Sequence, residues 1–218
     1  MRTREHYDAE LAALHHQLND LGGLASTAIG RAIEALGRQD PAAARQVVED
    51  DALIDRAQHL LEEHAVGLIA LQQPVARDLR RILATIAIGN ELERIADYAK
   101  GISKLVVGAE GAPQLEAPAE LLRLGAMAHA CLDHALAAVA DHSEAAARAL
   151  AREDDQIDRL YKELKARLAG DLGSSPAPAR AADLLFVAYH FERIADRATN
   201  IAERVVYWAS AEVVALNP

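Results

Sequence analysis

Apolar residues recur every three to four positions through most of this 218-residue chain, which is the spacing of amphipathic helices. The pattern breaks at 37–41, at Pro74, at 108–118, at 141–143 and at 170–176, where glycine, proline or capping residues gather. Five breaks predict six helices and an all-α fold. The stripe of the first helix consists of Leu11, Leu14, Leu18, Leu21, Ala25, Ile29, Ile33 and Leu36.

The same breaks predict where the helices end. Asp40 before Pro41 is a typical N-cap with proline at the first helical position, and Pro74 should end the second helix at about Gln73. A third helix is expected over about 75–107, and the sixth is expected to continue to about Val214.

Two acidic phrases occur twice in the same order, which indicates an internal repeat. The phrase that ends at Asp97 returns at Asp196, with a shift of 99 residues (196 minus 97), and the phrase that ends at Asp55 returns at Asp158, with a shift of 103 (158 minus 55). Long helices joined by short loops lie antiparallel. We therefore expect two tandem antiparallel three-helix bundles, residues 1–110 and 117–218, related by a pseudo-twofold axis.

The amino-acid composition limits the kinds of molecule that the protein could bind and the compartment in which it is expected. The chain has 33 acidic and 23 basic residues, a formal charge of −10, so we expect no nucleic-acid partner. The densest basic cluster, residues 77–81, is expected to be a solvated helix face. Cys131 is the only cysteine, so the chain can form no internal disulfide. We expect this residue to be a small side chain of the core. Without a signal peptide or a long apolar run, the protein is expected in the cytoplasm.

Carboxylates four residues apart lie on one helix face, and two such pairs on neighbouring helices could supply four to five oxygen ligands to a cation. The acidic residues fall beside the apolar stripe, so such a site is expected at the bundle surface, exposed to water. Oxygen ligands favour Mg²⁺, Mn²⁺ or iron over Zn²⁺. The candidate metal ligands are Asp51, Asp55, Glu93 and Asp97 in the first half, and Asp154, Asp158, Glu192, Asp196 and Asn200 in the second.

The same pattern has a plainer interpretation. Acidic pairs on long helices are usually solvated, and Arg94 and Arg193 lie beside them as partners for ordinary surface ion pairs. The chain lacks a Walker-type glycine loop, Gly-x-Ser-x-Gly, His-Glu-x-x-His and paired Glu-x-x-His. We therefore predict no catalytic residues and no cofactor other than a possible metal ion.

With these phrases the chain resembles the PhoU family of phosphate-signalling regulators over nearly its whole length. The resemblance lies in the phrase Leu71 to Arg80, in the Glu-x-x-x-Asp phrases that end at Asp97 and Asp196, and in the run from Glu192 to Glu203. The family pattern has asparagine four residues after the aspartate. The second half keeps it as Asn200, whereas the first half has Gly101, which would cost a metal site there one ligand.

The resemblance implies a cytoplasmic negative regulator of phosphate uptake and of the phosphate-starvation response. Family members are thought to couple the ATPase subunit of a Pst-type phosphate ABC transporter to a sensor histidine kinase, so membrane contact would come only through partners. Some bind metal clusters on the acidic surfaces, and no catalytic activity is implied. A homodimer is also expected. Two alternatives stay open: a metal-storage protein or metal-dependent enzyme of the helical-bundle kind, and an accessory regulator of another phosphate permease.

Overall fold

A computed structural model describes residues 2–111, 116–175 and 177–217. These residues form six α-helices, one short 3-10 turn and no strand, as the sequence predicted. The helices are α1 (Arg2–Arg38), α2 (Pro41–Gln72), α3 (Ala76–Gly108), α4 (Ala119–Ala140), α5 (Glu144–Asp171) and α6 (Pro178–Ser210), and the 3-10 turn Leu172–Ser174 follows α5.

The helices begin and end close to the predicted breaks. The Asp40 side chain accepts hydrogen bonds from the backbone N–H groups of Ala42 and Ala43, both at 3.0 Å, which confirms the predicted N-cap of α2. Gln73 ends α2 in the left-handed conformation just before Pro74. Ser143 caps α5 by accepting from the N–H of Ala146 at 3.2 Å. The expected linker extends over residues 112–115, which lie outside the described residues.

Each half of the chain packs as a three-helix bundle, α1 to α3 and then α4 to α6. The two bundles meet through α3 against α6 and α1 against α4. Arg180 near the start of α6 approaches the Leu105 carbonyl near the end of α3, whereas Arg197, further along α6, pairs with Glu91, which lies earlier in α3. The equivalent helices α3 and α6 are thus antiparallel at the contact, as expected for a pseudo-twofold axis perpendicular to them.

The core is continuous through both bundles and consists of aliphatic side chains with Phe191 and Trp208. The predicted α1 stripe is buried except for Ile33, which is partly buried, and Cys131 is fully buried as predicted. Burial raises the pKa of the Cys131 thiol to about 12, so the side chain acts as a small apolar residue. No helix among the described residues has the length and apolar character needed to cross a bilayer.

One helix limit was wrong. The sixth helix was expected to reach Val214, but α6 ends at Ser210 and Ala211 takes the left-handed conformation. The chain then turns back along α6, and the Leu216 N–H donates to the Glu203 carboxylate at 2.8 Å. Val214 and Leu216 pack against the core from this returning segment. Their contribution to the apolar pattern is therefore not helical.

Candidate functional site: two acidic surfaces

The second acidic surface consists of Asp154 and Asp158 on α5 with Glu192 and Asp196 on α6. One carboxylate oxygen from each of Asp154, Asp158 and Asp196 lies within 4.8 Å of the other two. Within the described part of the chain, this is the one group of three His, Cys, Asp or Glu side chains that gathers so closely. The sequence periodicity brings each pair onto one helix face, and the packing of α5 on α6 brings the two faces together.

Asp154 is the unusual member of this group. The residue is only 4% exposed, and its Oδ1 atom is buried without a hydrogen-bond partner. Burial, followed by the negative charges of Asp196 and Asp158, raises the pKa of this carboxyl group to about 7. Burial, together with the Glu192 charge, also raises the pKa of Asp196. A buried carboxylate oxygen without a partner among other carboxylates is the arrangement that a hard cation would stabilise.

Basic side chains and an amide line the outer edge of the second surface. Arg193 donates to both oxygens of Glu192, at 2.5 and 2.6 Å, and forms an ion pair with Asp196 at 2.8 Å. Lys162 pairs with Asp158 at 2.9 Å through a largely exposed side chain. Asn217, in the returning segment, donates to Asp196 Oδ1 at 2.8 Å. These contacts neutralise the rim and do not reach Oδ1 of Asp154.

The first acidic surface consists of Asp51 and Asp55 on α2 with Glu93 and Asp97 on α3, and it has a different arrangement. Burial raises the pKa of Glu93, and the charges of Asp97 and Asp55 raise it further, so these carboxylates are electrostatically coupled. Asp51 is also only 4% exposed, but its Oδ2 atom bonds to the Lys100 ammonium, which in addition approaches Asp97 Oδ1 at 3.3 Å. A cationic side chain of the protein therefore lies within this surface.

The structure corrects one expectation about these residues and shows where position 101 lies. The sites were expected at a water-exposed surface, yet Asp51, Asp154 and Glu192 are buried, because positions beside the apolar stripe face the neighbouring helix. Gly101 was interpreted as a missing ligand. A Cβ atom there would lie 2.6 Å from Cε1 of His190 on α6, so position 101 faces the contact between the bundles.

Asn200, the equivalent of Gly101 in the second half, also faces the contact between the bundles. Its amide nitrogen lies 3.5 Å from the Glu91 carboxylate of α3. Its role as a metal ligand stays a prediction.

Sequence reasoning missed Lys100 and Asn217, since neither belongs to the acidic phrases. The only available signal was Lys100 itself, a cation three residues after Asp97.

Two cavities lie mostly apart from the acidic surfaces. A cavity of about 230 Å³ lies elsewhere, with Leu36, Leu105 and Leu184 in its wall and none of the eight carboxylates. A smaller cavity of about 130 Å³ has Asp51 in its wall but is otherwise mostly apolar.

These features define a class of protein. It is a tandem pair of three-helix bundles, each half has an acidic surface, and basic side chains of the protein pair with the carboxylates of both surfaces. The PhoU domain model matches this chain twice, over residues 18–106 and 121–205, and the chain belongs to the PhoU family.

Similar proteins carry names from phosphate transport. A Clostridium acetobutylicum protein named phosphate-specific transport system accessory protein PhoU homolog is 32% identical over 217 residues, which cover 99% of both chains. A Rhizobium meliloti protein of the same name is 34% identical over 94% of this chain and 87% of its own length.

Solved structures show the same fold. The crystal structure of the phosphate transport system regulatory protein PhoU from Streptococcus pneumoniae superposes with a TM-score of 0.89 at 29% identity, covering 96% of this chain and 99% of that one. The crystal structure of PhoU from Pseudomonas aeruginosa gives a TM-score of 0.90 at 29% identity, covering 94% of this chain and all of that one.

Proposed function

We propose that this protein is a cytoplasmic negative regulator of phosphate uptake and phosphate-starvation signalling. The observation that carries the proposal is the match of both halves to the PhoU domain, with full-length relatives named as accessory proteins of the phosphate-specific transport system. In this role the protein binds the ATPase subunit of a Pst-type phosphate ABC transporter and a sensor histidine kinase. It keeps the kinase inactive when phosphate is plentiful. It reaches the membrane through these partners and acts without catalysis.

The acidic surfaces are the proposed contact area, because a chain with a charge of −10 binds basic partners most readily. The test is the double charge reversal Glu192→Lys with Asp196→Lys in a strain that lacks the native gene. The expected result is expression of a phosphate-starvation reporter in rich phosphate. The matched control is Glu63→Lys with Glu163→Lys, which changes the total charge equally at exposed positions of α2 and α5. Normal repression by a folded Glu192/Asp196 double variant would contradict this assignment.

We also propose that the second acidic surface binds a divalent cation, Mg²⁺, Mn²⁺ or Fe²⁺. The supporting observations concern Asp154: its buried Oδ1 atom has no hydrogen-bond partner, and its carboxylate is one of three that each place an oxygen within 4.8 Å of the other two. Asp154, Asp158 and Asp196 would hold the ion, with Glu192 and Asn200 as further candidates. A cation there would offset the mutual repulsion of the carboxylates and stabilise the contact between α5 and α6.

The cation proposal is tested by melting curves of the metal-free protein with each metal added separately. The wild type should melt at a higher temperature with Mn²⁺ or Mg²⁺, and Asp196→Asn should lose that increase. Asp155→Asn is the matched control, since Asp155 is an exposed neighbour on α5 outside the trio. A wild type that no metal stabilises would leave the surface as a protein contact only.

A homodimer is a further part of the proposal. Exposed apolar side chains on α2 and α6, including Leu53, Leu60 and Phe186, are available for a contact between two copies. Light scattering should then give about twice the mass of one chain at micromolar concentration, and a monomer under these conditions would contradict the dimer.

A further inference from the structure

The two halves place equivalent aspartates in equivalent positions. Asp51 on α2 and Asp154 on α5 are related by the repeat shift of 103 residues (154 minus 51), and each is 4% exposed. A buried carboxylate needs a positive or hydrogen-bonding partner to remain ionised. The two halves meet this need differently.

In the first half the partner is Lys100. This residue lies three positions after Asp97 on α3, and its ammonium bonds to Asp51 of α2 and approaches Asp97 at 3.3 Å. The Lys100 side chain is only 26% exposed, so its stem packs between the two helices while its charged end lies among the carboxylates.

In the second half the equivalent position is Thr199, related to Lys100 by the shift of 99 residues (199 minus 100). Thr199 is fully buried, and its hydroxyl donates to the Asp196 backbone carbonyl at 2.7 Å instead of reaching Asp154. Among the described basic side chains near this surface, Lys162 and Arg193 pair with Asp158, Glu192 and Asp196, and neither forms an ion pair with Asp154.

We propose that Lys100 is the built-in cation of the first acidic surface and prevents a divalent metal from binding there. A metal at that surface would have to displace an ammonium that the fold itself holds against Asp51, so it competes with an intramolecular ligand. The pseudo-symmetric protein is then functionally asymmetric: metal binds to the α5/α6 surface, and the α2/α3 surface keeps a fixed charge pattern that does not depend on metal. This inference rests on the proposed cation site of the second half.

The experiment isolates the first surface by using Asp196→Asn as the background and Mn²⁺ alone as the probe. Free and bound Mn²⁺ are distinguished by electron paramagnetic resonance during titration of the metal-free, full-length protein. Lys100→Met keeps the aliphatic stem and removes the charge. Lys100→Thr introduces the residue found at position 199 and serves if the methionine variant folds poorly. Lys100→Arg keeps a cation and is the matched control.

Asp196→Asn alone, and with Lys100→Arg, should show no saturable Mn²⁺ binding. Adding Lys100→Met or Lys100→Thr should create one site, at least tenfold tighter than any residual binding, and Asp51→Asn should remove it. Failure of both folded lysine variants to bind Mn²⁺ would overturn the proposal. A saturable site in Asp196→Asn that Asp51→Asn removes would also overturn it, because metal would then bind beside Lys100.

A second measurement needs no lysine variant. In the otherwise wild-type chain, Asp51→Asn should leave Mn²⁺ affinity unchanged within about twofold, whereas Asp154→Asn should abolish binding; an equal loss in both contradicts the proposal. A different outcome would show that the proposed cation site of the second half is wrong while the role of Lys100 is correct. If the wild type binds no Mn²⁺ but the Lys100→Met single variant does, the cation proposal for the second half is wrong and the role of Lys100 stands.

Discussion

His15 lies partly buried on α1, with its ring centroid 4.8 Å from that of His142 and 5.7 Å from the Trp208 ring. Arg81 packs its guanidinium over the same Trp208 ring at 5.1 Å. The basic cluster at 77–81 is therefore not a fully solvated face as the sequence suggested, because Arg81 is used in packing. Burial, followed by electrostatic repulsion from His142 and Arg81, lowers the pKa of His15 to about 4.

This environment predicts a loss of stability in mild acid. The folded pKa of His15 lies below the unfolded value of 6.5, so the unfolded chain binds the proton first as pH falls. The stability associated with neutral His15 is present above pH 6.5 and is lost as pH falls from 6.5 towards 4, with a slope of at most about 1.4 kcal/mol per pH unit. His15→Leu should flatten that part of the curve of unfolding free energy against pH.

Denaturant unfolding at a series of pH values measures this slope. The neighbouring His16, which is exposed and pairs with Asp20, provides the control His16→Leu. An unchanged pH slope in His15→Leu would assign the acid sensitivity to other groups, such as the carboxylates.

At the scale of helices, the sequence predicted most limits because proline and capping residues act locally. Asp40 with Pro41 and the break at Pro74 needed no knowledge of the tertiary structure. The end of α6 was predicted wrongly because the apolar residues Val214 and Leu216 continue the apolar pattern of the helix, although they belong to the returning segment. The roles of Lys100 and Gly101 were missed for a related reason: both depend on side chains from another helix, Asp51 and His190.

The N-cap of α2 gives a prediction at this scale. Asp40→Ala removes the acceptor of two backbone hydrogen bonds, so the protein should lose about 1 kcal/mol of unfolding free energy. Asp40→Ser retains a capping oxygen and should lose much less. Chemical denaturation of the two variants measures the difference, and equal stabilities would show that the cap contributes little to this helix.

At the scale of the whole molecule, the pseudo-twofold contact between α3 and α6 repeats one geometry with two sets of residues. Glu91 faces Asn200 at one end, and the equivalent positions at the other end hold His190 and Gly101. The His190 ring fills the space that a side chain at position 101 would need, and it also packs against Tyr98 with ring centroids 5.5 Å apart.

Gly101→Asn should therefore destabilise the protein by about 1–3 kcal/mol, even though glycine is a poor helix former, because the new Cβ atom overlaps His190. His190→Glu added to Gly101→Asn recreates the Glu91 and Asn200 pair and should recover most of the loss. The double-mutant cycle measures the coupling from thermal or denaturant unfolding. Additive effects of the two substitutions would contradict the steric explanation.

The same contact determines how freely the halves could be recombined. In a chimera made of two second halves, each His190 would face an Asn200, and the overlap predicted for Gly101→Asn would occur at both ends of the interface. In a chimera of two first halves, each Glu91 would face a Gly101, which offers no amide to its carboxylate. Each half thus pairs better with the other than with a copy of itself.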